Sequence, residues 1–328
     1  MSEPIMVSVI CNVYNHEKYL RDALDGFVMQ KTSFPFEVLV HDDASTDSSA
    51  AIIREYEEKY PDIIKPIYQT VNQYSQKVPI TREYQLPRVQ GKYIALCEGD
   101  DYWTDPMKLQ KQFDFLEQHP EYSLCSCSTV WQNVQTGTKE ARGRVAEDRD
   151  ISLEEIILEK GGRIFQYASN FIRTEVYSQF PAWRVAFPIG DYPLIVLAAL
   201  NGKVRMLADV MTVYRFYSAN SWTVRMDNDA SRARISLKMI EGLEALNEAT
   251  EYKHDEVIQR RILRHKYTYA IMTHDLKALR SGELKPLYKS RKWMYRASDV
   301  LRCKFPKLYT IAMKPIAKVI KSAYGYGE

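Results

Sequence analysis

The sequence predicts an α/β fold: a mostly parallel sheet flanked by helices, followed by a helical carboxyl-terminal region. Three observations carry this expectation. Short apolar runs alternate with stretches of helical period through the first half, acidic clusters stand directly after two of those runs, and beyond Asp229 the strand pattern gives way to helical periodicity.

Residues 7–13 (VSVICNV) read as a strand, followed by a helix over 19–29 in which Leu20, Ala23, Leu24 and Phe27 recur at helical spacing. FEVLV at 36–40 is a second strand. Ser48 then opens an amphipathic helix with Ile52, Ile53 and Tyr56 on one face, which stops before Pro61. Further strands are expected at 63–68 and 93–97. A helix over 107–116 has Pro106 in its first turn and Asp105 as its cap. A strand at 122–131, a short helix at 153–158, a strand at 165–171, a helix at 194–200 after Pro193 and a strand at 210–217 complete the α/β part. From 235 onward everything reads as helix, which places a boundary near 222–229 and gives domains of 1–225 and 226–328.

The chain has 328 residues, 45% of them hydrophobic, enough for one large core or two modest ones. No apolar run approaches the roughly 20 residues that span a bilayer, and residues 1–6 are too short and polar for a secretory signal, so the expected location is cytoplasmic, peripheral on the inner face of the plasma membrane. Cys11, Cys97, Cys125, Cys127 and Cys303 show no CxxC spacing; core packing is their expected role. Charge is uneven. Residues 251–328 hold 18 Lys/Arg against 7 Asp/Glu, a net +11, while residues 1–250 hold 27 against 35, a net −8. Between Lys285 and Lys321 there are 11 basic residues and one acid, interleaved with aromatics, a pattern that suits an anionic membrane surface. No nucleic-acid motif accompanies it.

In parallel sheets ligands bind outside the carboxyl ends of the strands. That rule points to loops 12–16, 42–47 and 98–103. The segment His41-Asp42-Asp43-Ala44-Ser45-Thr46-Asp47 sets three carboxylates within six residues, with Asp47, and Ser45 with it, suited to capping the next helix. Like charges this close need a cation or a donor to offset them. The segment Glu98-Gly99-Asp100-Asp101-Tyr102-Trp103 follows the most apolar strand, and its hard oxygens suit Mg²⁺ or Mn²⁺, which take one or two carboxylates and fill the remaining positions with phosphate oxygens and water.

These three segments, Val7 through Tyr14-Asn15, Val40 through Asp47, and Gly91 through Asp101, resemble in order the amino-terminal domain of the family 2 inverting glycosyltransferases: a strand followed by YN, a DDxSxD segment, and a GxYIxxxDxDD segment. The resemblance runs from about residue 6 to 217. It implies a GT-A, Rossmann-like catalytic domain over 1–225, a helical basic region over 226–328, and transfer of a sugar from a nucleoside diphosphate, with UDP as the expected nucleotide, to an acceptor hydroxyl on a lipid-linked or protein-linked glycan in bacterial polysaccharide assembly. It implies that Tyr14 and Asn15, beside Asn12, lie against the base and ribose, that Asp42 or Asp43 accepts the base N–H, and that Glu98 and Asp100 occupy the metal positions, Asp100 as direct ligand. Glu98 stands where the family more often has Asp.

Arg82 and Arg88 lie between the acidic clusters and are candidates for the pyrophosphate charge. Family members resembling this chain carry a catalytic base in a short acidic motif downstream; Gly190-Asp191-Tyr192-Pro193 fits it and makes Asp191 the expected general base. The metal would act as a Lewis acid on the leaving diphosphate. Val213 through Trp222, including Arg215, resembles the family's closing segment near the diphosphate, and Trp183 and Trp222 are candidates for stacking on sugar faces. Two rival readings stand beside this one: a non-catalytic nucleotide-sugar or glycan-binding protein, and a nucleotidyltransferase on the same kind of sheet. The second normally carries a glycine-rich phosphate loop after the first strand, and residues 12–17 offer none. A homo-oligomer is a further expected association.

Overall fold

The computed structural model describes residues 3–141, 143–159, 165–216, 228–309 and 311. They fall into two compact units: residues 1–153, 163–179 and 194–218 form the first, and residues 154–162, 180–193 and 219–328 the second. The expected boundary at 225/226 lies outside the described residues.

The first unit is built on one mixed sheet. β1 (Val7–Val13), β2 (Phe36–Asp42), β3 (Ile64–Tyr68) and β4 (Tyr93–Leu96) run parallel in the order β3-β2-β1-β4. Helices α1 (Leu20–Val28) and α2 (Ser49–Lys59) form the crossovers. Alternation along the strands explains their packing: Val7, Val9, Cys11 and Val13 share a core with Val38, Val40, Ala95 and Cys97, and that core is closed by Leu20, Leu24 and Phe27 of α1 and Ile52 and Ile53 of α2.

Past β4 the sheet becomes mixed. It continues through β5 (Tyr102–Trp103), α3 (Lys108–Gln118), β6 (Tyr122–Asn133), β7 (Lys139–Glu140), β8 (Arg149–Asp150), β9 (Phe171–Arg173) and β10 (Lys203–Phe216). The spatial order is β4-β9-β6-β10-β5, with β9 antiparallel to both neighbours and β10 parallel to β6. Asp105 accepts the Met107 N–H at 2.8 Å just ahead of α3, and Asp47 accepts the Ser49 N–H at 2.9 Å at the head of α2, as their sequence positions predict. Cys125 and Cys127 both face the core.

Two strands differ from expectation. Residues 167–169 form a 3₁₀ turn and the strand begins only at Phe171, because Ser169 Oγ donates to the Gln166 carbonyl at 2.7 Å and draws the chain into a turn. β10 begins at Lys203, seven residues before the expected start. There Lys203 and Arg205 alternate with buried Val204 and Met206, so one edge is charged and the other enters the core.

The second unit is helical. It holds most of α4 (Leu153–Leu158), α6 (Ala182–Ala186), the first residues of α7 (Asp191–Asn201), and α8 (Asp229–Ala249), α9 (Asp255–Met272), α10 (Leu276–Leu279), α11 (Leu284–Ser290) and α12 (Trp293–Lys304); the short α5 (Thr174–Tyr177) belongs to the first unit. Trp183 packs edge-on against Phe187, with ring centroids 6.3 Å apart, and is 6% exposed, so it fills this core rather than presenting a face to a sugar. A Cβ at Gly242 of α8 would stand 2.7 Å from the Phe187 ring, so the missing side chain makes that contact. Tyr267, Ala270, Ile271, Leu279, Leu284 and Tyr288 form a separate core among α9, α10 and α11. The expected helical region is present through residue 309; residues 312–328 lie outside the described set. Among the described residues no helix is long and apolar enough to cross a membrane.

Candidate active site

Three loops meet at the carboxyl ends of β1, β2 and β4 in the first unit. The ladder brings them there, since Val13 lies beside Asp42, the Asp43 N–H donates to the Val13 carbonyl at 2.9 Å, and the Gly99 N–H donates to the Asn12 carbonyl at 3.1 Å. Side chains then lace the loops together. Asn15, at φ +56°, donates its backbone N–H to Ser45 Oγ at 2.9 Å and accepts the Thr46 N–H at 2.7 Å. His16 N–H donates to Ser49 Oγ, Glu17 N–H to Asp47 and Ser48 N–H to Glu17, each at 2.9–3.0 Å. Tyr14, 42% exposed, stands at the rim of this frame.

The two carboxylates after β2 have different employment. Both are 2% exposed. Asp43 accepts the Gln73 N–H at 2.7 Å on one oxygen and the Tyr74 N–H at 3.0 Å on the other, so it fastens the loop that follows β3. Asp42 accepts a long contact from the Ser45 N–H, 3.4 Å, on Oδ2, and the Ser45 side chain also acts on this carboxylate; its Oδ1 is buried with no partner among the described residues. Burial raises the Asp42 pKa above the usual carboxylate value, and hydrogen bonds from Ser45 work against that rise. A buried acceptor of this kind is satisfied by a donor, whether water, ligand or protein.

The loop after β4 carries the second carboxylate group. Glu98 and Asp100 are half-buried. Gly99 is required between them: a Cβ there would stand 2.9 Å from both His16 Nδ1 and Val13 Cγ2. Asp101 points into the protein, 3% exposed, where Oδ1 accepts the Arg215 N–H at 2.8 Å. Burial, and after it the charge of Asp100, pushes the Asp101 pKa well above the ordinary range. The Cys11 thiol beneath is raised for the same reasons, burial first and then Glu98 and Asp100. Negative potential is therefore concentrated at this loop, and a divalent cation would relieve it. Among the described residues no group of three or more His, Cys, Asp or Glu gathers as a closed metal cage. Two hard carboxylates fit an ion that takes its other ligands from phosphate and water.

Arg215, 6% exposed, pins this loop. Its guanidinium bonds the Asp100 carbonyl at 3.1 Å, pairs with Asp22 of α1, and lies 4.2 Å over the Tyr102 ring. Sequence reading placed Arg215 near the diphosphate; here its charge is engaged within the protein. Nothing in the sequence marks Asp22 as its partner, since the two are joined only by the tertiary fold.

Other expected site residues lie elsewhere or are otherwise engaged. Residues 81–88 wind as irregular helical turns that carry the Arg88 guanidinium to the Lys65 carbonyl, 2.6 Å, where Glu37 also acts on it. Arg82 is exposed and paired with Glu83. The Asn12 amide contacts Thr81 at 3.5 Å and Gln85 at 3.3 Å, so it braces the loop from behind. Gln85, fully buried, also bonds the Cys11 and Leu39 carbonyls, a role no sequence signal revealed. Asp191 is exposed at the head of α7 in the second unit, where it accepts the Tyr192 N–H at 2.9 Å. Residues 217–227, with Trp222, lie outside the described set.

Residues 8–180 match the profile described as glycosyl transferase family 2. The chain belongs to that family. The matched stretch holds all three carboxyl-end loops of this family 2 glycosyltransferase chain; Asp191 falls beyond it. An uncharacterized protein of Mycobacterium tuberculosis is 37% identical over 225 residues, 66% of this chain and 60% of the relative, so the chain spans about three fifths of that relative's length. Among solved structures, Staphylococcus aureus TarS 1–349 in complex with UDP-GlcNAc is similar with a TM-score of 0.55 at 19% identity, covering 91% of this chain and 81% of that one. A mannosyltransferase from Pyrobaculum calidifontis in complex with GDP-Man and Mn²⁺ is similar with a TM-score of 0.54 at 17% identity, covering 98% and 90%. These likenesses establish the GT-A fold.

Proposed function

We propose that this chain is a metal-dependent inverting glycosyltransferase that moves a sugar from a nucleoside diphosphate, UDP by preference, to an acceptor hydroxyl on a lipid-linked or protein-linked glycan in bacterial glycan assembly. The catalytic domain is 1–225. The observation that carries the reading is the buried Oδ1 of Asp42, without a partner among the described residues, at the same sheet edge as Glu98 and Asp100. A nucleobase N–H is the donor that oxygen lacks. Tyr14 supplies an exposed ring for the base face, and Asn15 orders the ribose side of the loop. Glu98 and Asp100 would hold Mn²⁺ or Mg²⁺, which when bound offsets charge on the departing diphosphate. Solved family-fold neighbours bound to UDP-GlcNAc and to GDP-Man with Mn²⁺ support this assignment of donor class.

In the reaction the bond from the anomeric carbon to the diphosphate oxygen breaks as the acceptor oxygen bonds that carbon from the opposite side. The hydroxyl proton passes to a carboxylate, for which Asp191 is the proposed group, an exposed side chain at a helix head. Release of nucleoside diphosphate from UDP- and GDP-sugars, followed with and without Mn²⁺, tests the reading. Asp191→Asn should cut turnover by about 10²–10⁴ while leaving nucleotide affinity intact. Turnover by Asp191→Asn at the wild-type rate removes Asp191 from the role, and a product that keeps the donor's anomeric configuration removes inversion.

A further inference from the structure

We propose that the outer face of α12 and the turn after it form a docking surface for an anionic lipid bilayer. This stands apart from the donor-site reading and rests on the second unit alone. The inner face of α12 is committed to the protein. Asp299 accepts the Tyr267 hydroxyl at 2.6 Å and lies 3.3 Å from Arg291 Nε, while Arg302 pairs with Asp229 at 2.5 Å. Among the described residues the opposite face is mostly apolar, with Arg296 as the one charged residue lining it. Trp293, Ala297, Val300 and Leu301 follow helical spacing onto Phe305 and line a surface groove with Tyr288. Trp293 is 71% exposed and Phe305 57%, and Met294, Leu308 and Ile311 nearby in the chain are exposed too.

Charge surrounds this stripe on one side of the ledger only. Lys285, Lys289, Lys292, Lys304 and Lys307 are exposed, whereas the sole acid from 284 to 311 is the buried Asp299. Exposed aliphatic and aromatic side chains ringed by lysines match a bilayer interface, where aromatic rings settle at headgroup level and lysine stems lie along apolar surface with their ammonium groups outward. A second copy of the chain fits less well, because a symmetric contact would press the lysines of one copy against those of the other. Nucleic acid would use the charges and the rings but offers nothing to Met294, Leu308 and Ile311.

Flotation of the full chain with vesicles of phosphatidylcholine, alone or mixed with phosphatidylglycerol, tests this. Binding is expected on the mixed vesicles only, and it should weaken as added salt shortens electrostatic reach. Replacing Lys289, Lys292, Lys304 and Lys307 by Ser together should lower affinity by well over tenfold, since each lysine near such a surface is worth about a fivefold factor. An arm independent of that variant uses brominated-chain lipids, which should quench wild-type tryptophan fluorescence and fail to do so in Trp293→Phe. Absence of vesicle binding, equal binding to both compositions, unchanged quenching in Trp293→Phe, or tighter binding to an oligonucleotide than to mixed vesicles would each overturn the proposal. So would a dimer in sedimentation that the four-Ser variant loses while vesicles bind neither protein.

Discussion

Asp42 and Asp43 are neighbours in sequence with equal burial, yet they predict opposite phenotypes. Asp43→Asn puts an amide group opposite the Gln73 and Tyr74 N–H donors, which should cost about 1–3 kcal/mol of stability and lower the melting temperature. Asp42→Asn removes a buried, underused carboxylate, so the melting temperature should hold or rise. Its nucleotide affinity should fall by about ten- to a hundredfold, the worth of a hydrogen bond to a charged group. The linkage has a definite sign. The raised Asp42 pKa means that the folded chain holds this proton more tightly than the unfolded chain, so ionising Asp42 costs stability as pH rises through its folded-state pKa. The proposed nucleotide contact uses the ionised form and should weaken as pH falls through that raised pKa. Titrations across acidic pH on wild type and Asp42→Asn check this, and the variant's profile should lack the step due to Asp42. Sequence alone located the pair but left the choice between them open, because the groups that engage Asp43 come from about 30 residues downstream, in a loop whose path no local pattern dictates.

The loop after β4 works as a unit with α1 and β10. Arg215 holds that unit together through the Asp100 carbonyl, Asp22 and Tyr102. Arg215→Ala should lower stability by about 1.5–3 kcal/mol, seen as a shifted urea midpoint, and should loosen the loop of the proposed metal carboxylates, seen as a weaker Mn²⁺ effect on nucleotide binding. Arg215→Lys should recover little, because one ammonium cannot replace a planar fork stacked on a ring. At this scale β1, β2 and β4 were legible in the sequence, since strands buried on both faces read as short, largely apolar runs. The first half of β10 was not, because Lys203 and Arg205 on its exposed edge mask the period of its buried residues. Residues 167–169 were misread for the converse reason: apolar content suggested a strand, and the Gln166–Ser169 side-chain bonds made a turn.

Across the whole molecule, the chain divides acid from base. The net −8 of residues 1–250 and the +11 of residues 251–328 place the carboxylates where a cation and a nucleotide are expected, and the lysines where an anionic surface is proposed. That division was legible from composition, and so was the family, whose three motifs sit together at the strand ends. Where Arg88 would lie was not legible, since the turns of residues 81–88 set its contact with the Lys65 carbonyl. Calorimetric titration of UDP and GDP into the full chain, with and without Mn²⁺, tests the central claim most directly. Mn²⁺ should tighten binding of at least one nucleotide in the wild type, and Asp100→Asn should lose that gain while keeping its metal-free affinity. Nucleotide affinity indifferent to Mn²⁺, or a full metal effect surviving in Asp100→Asn, would contradict the account.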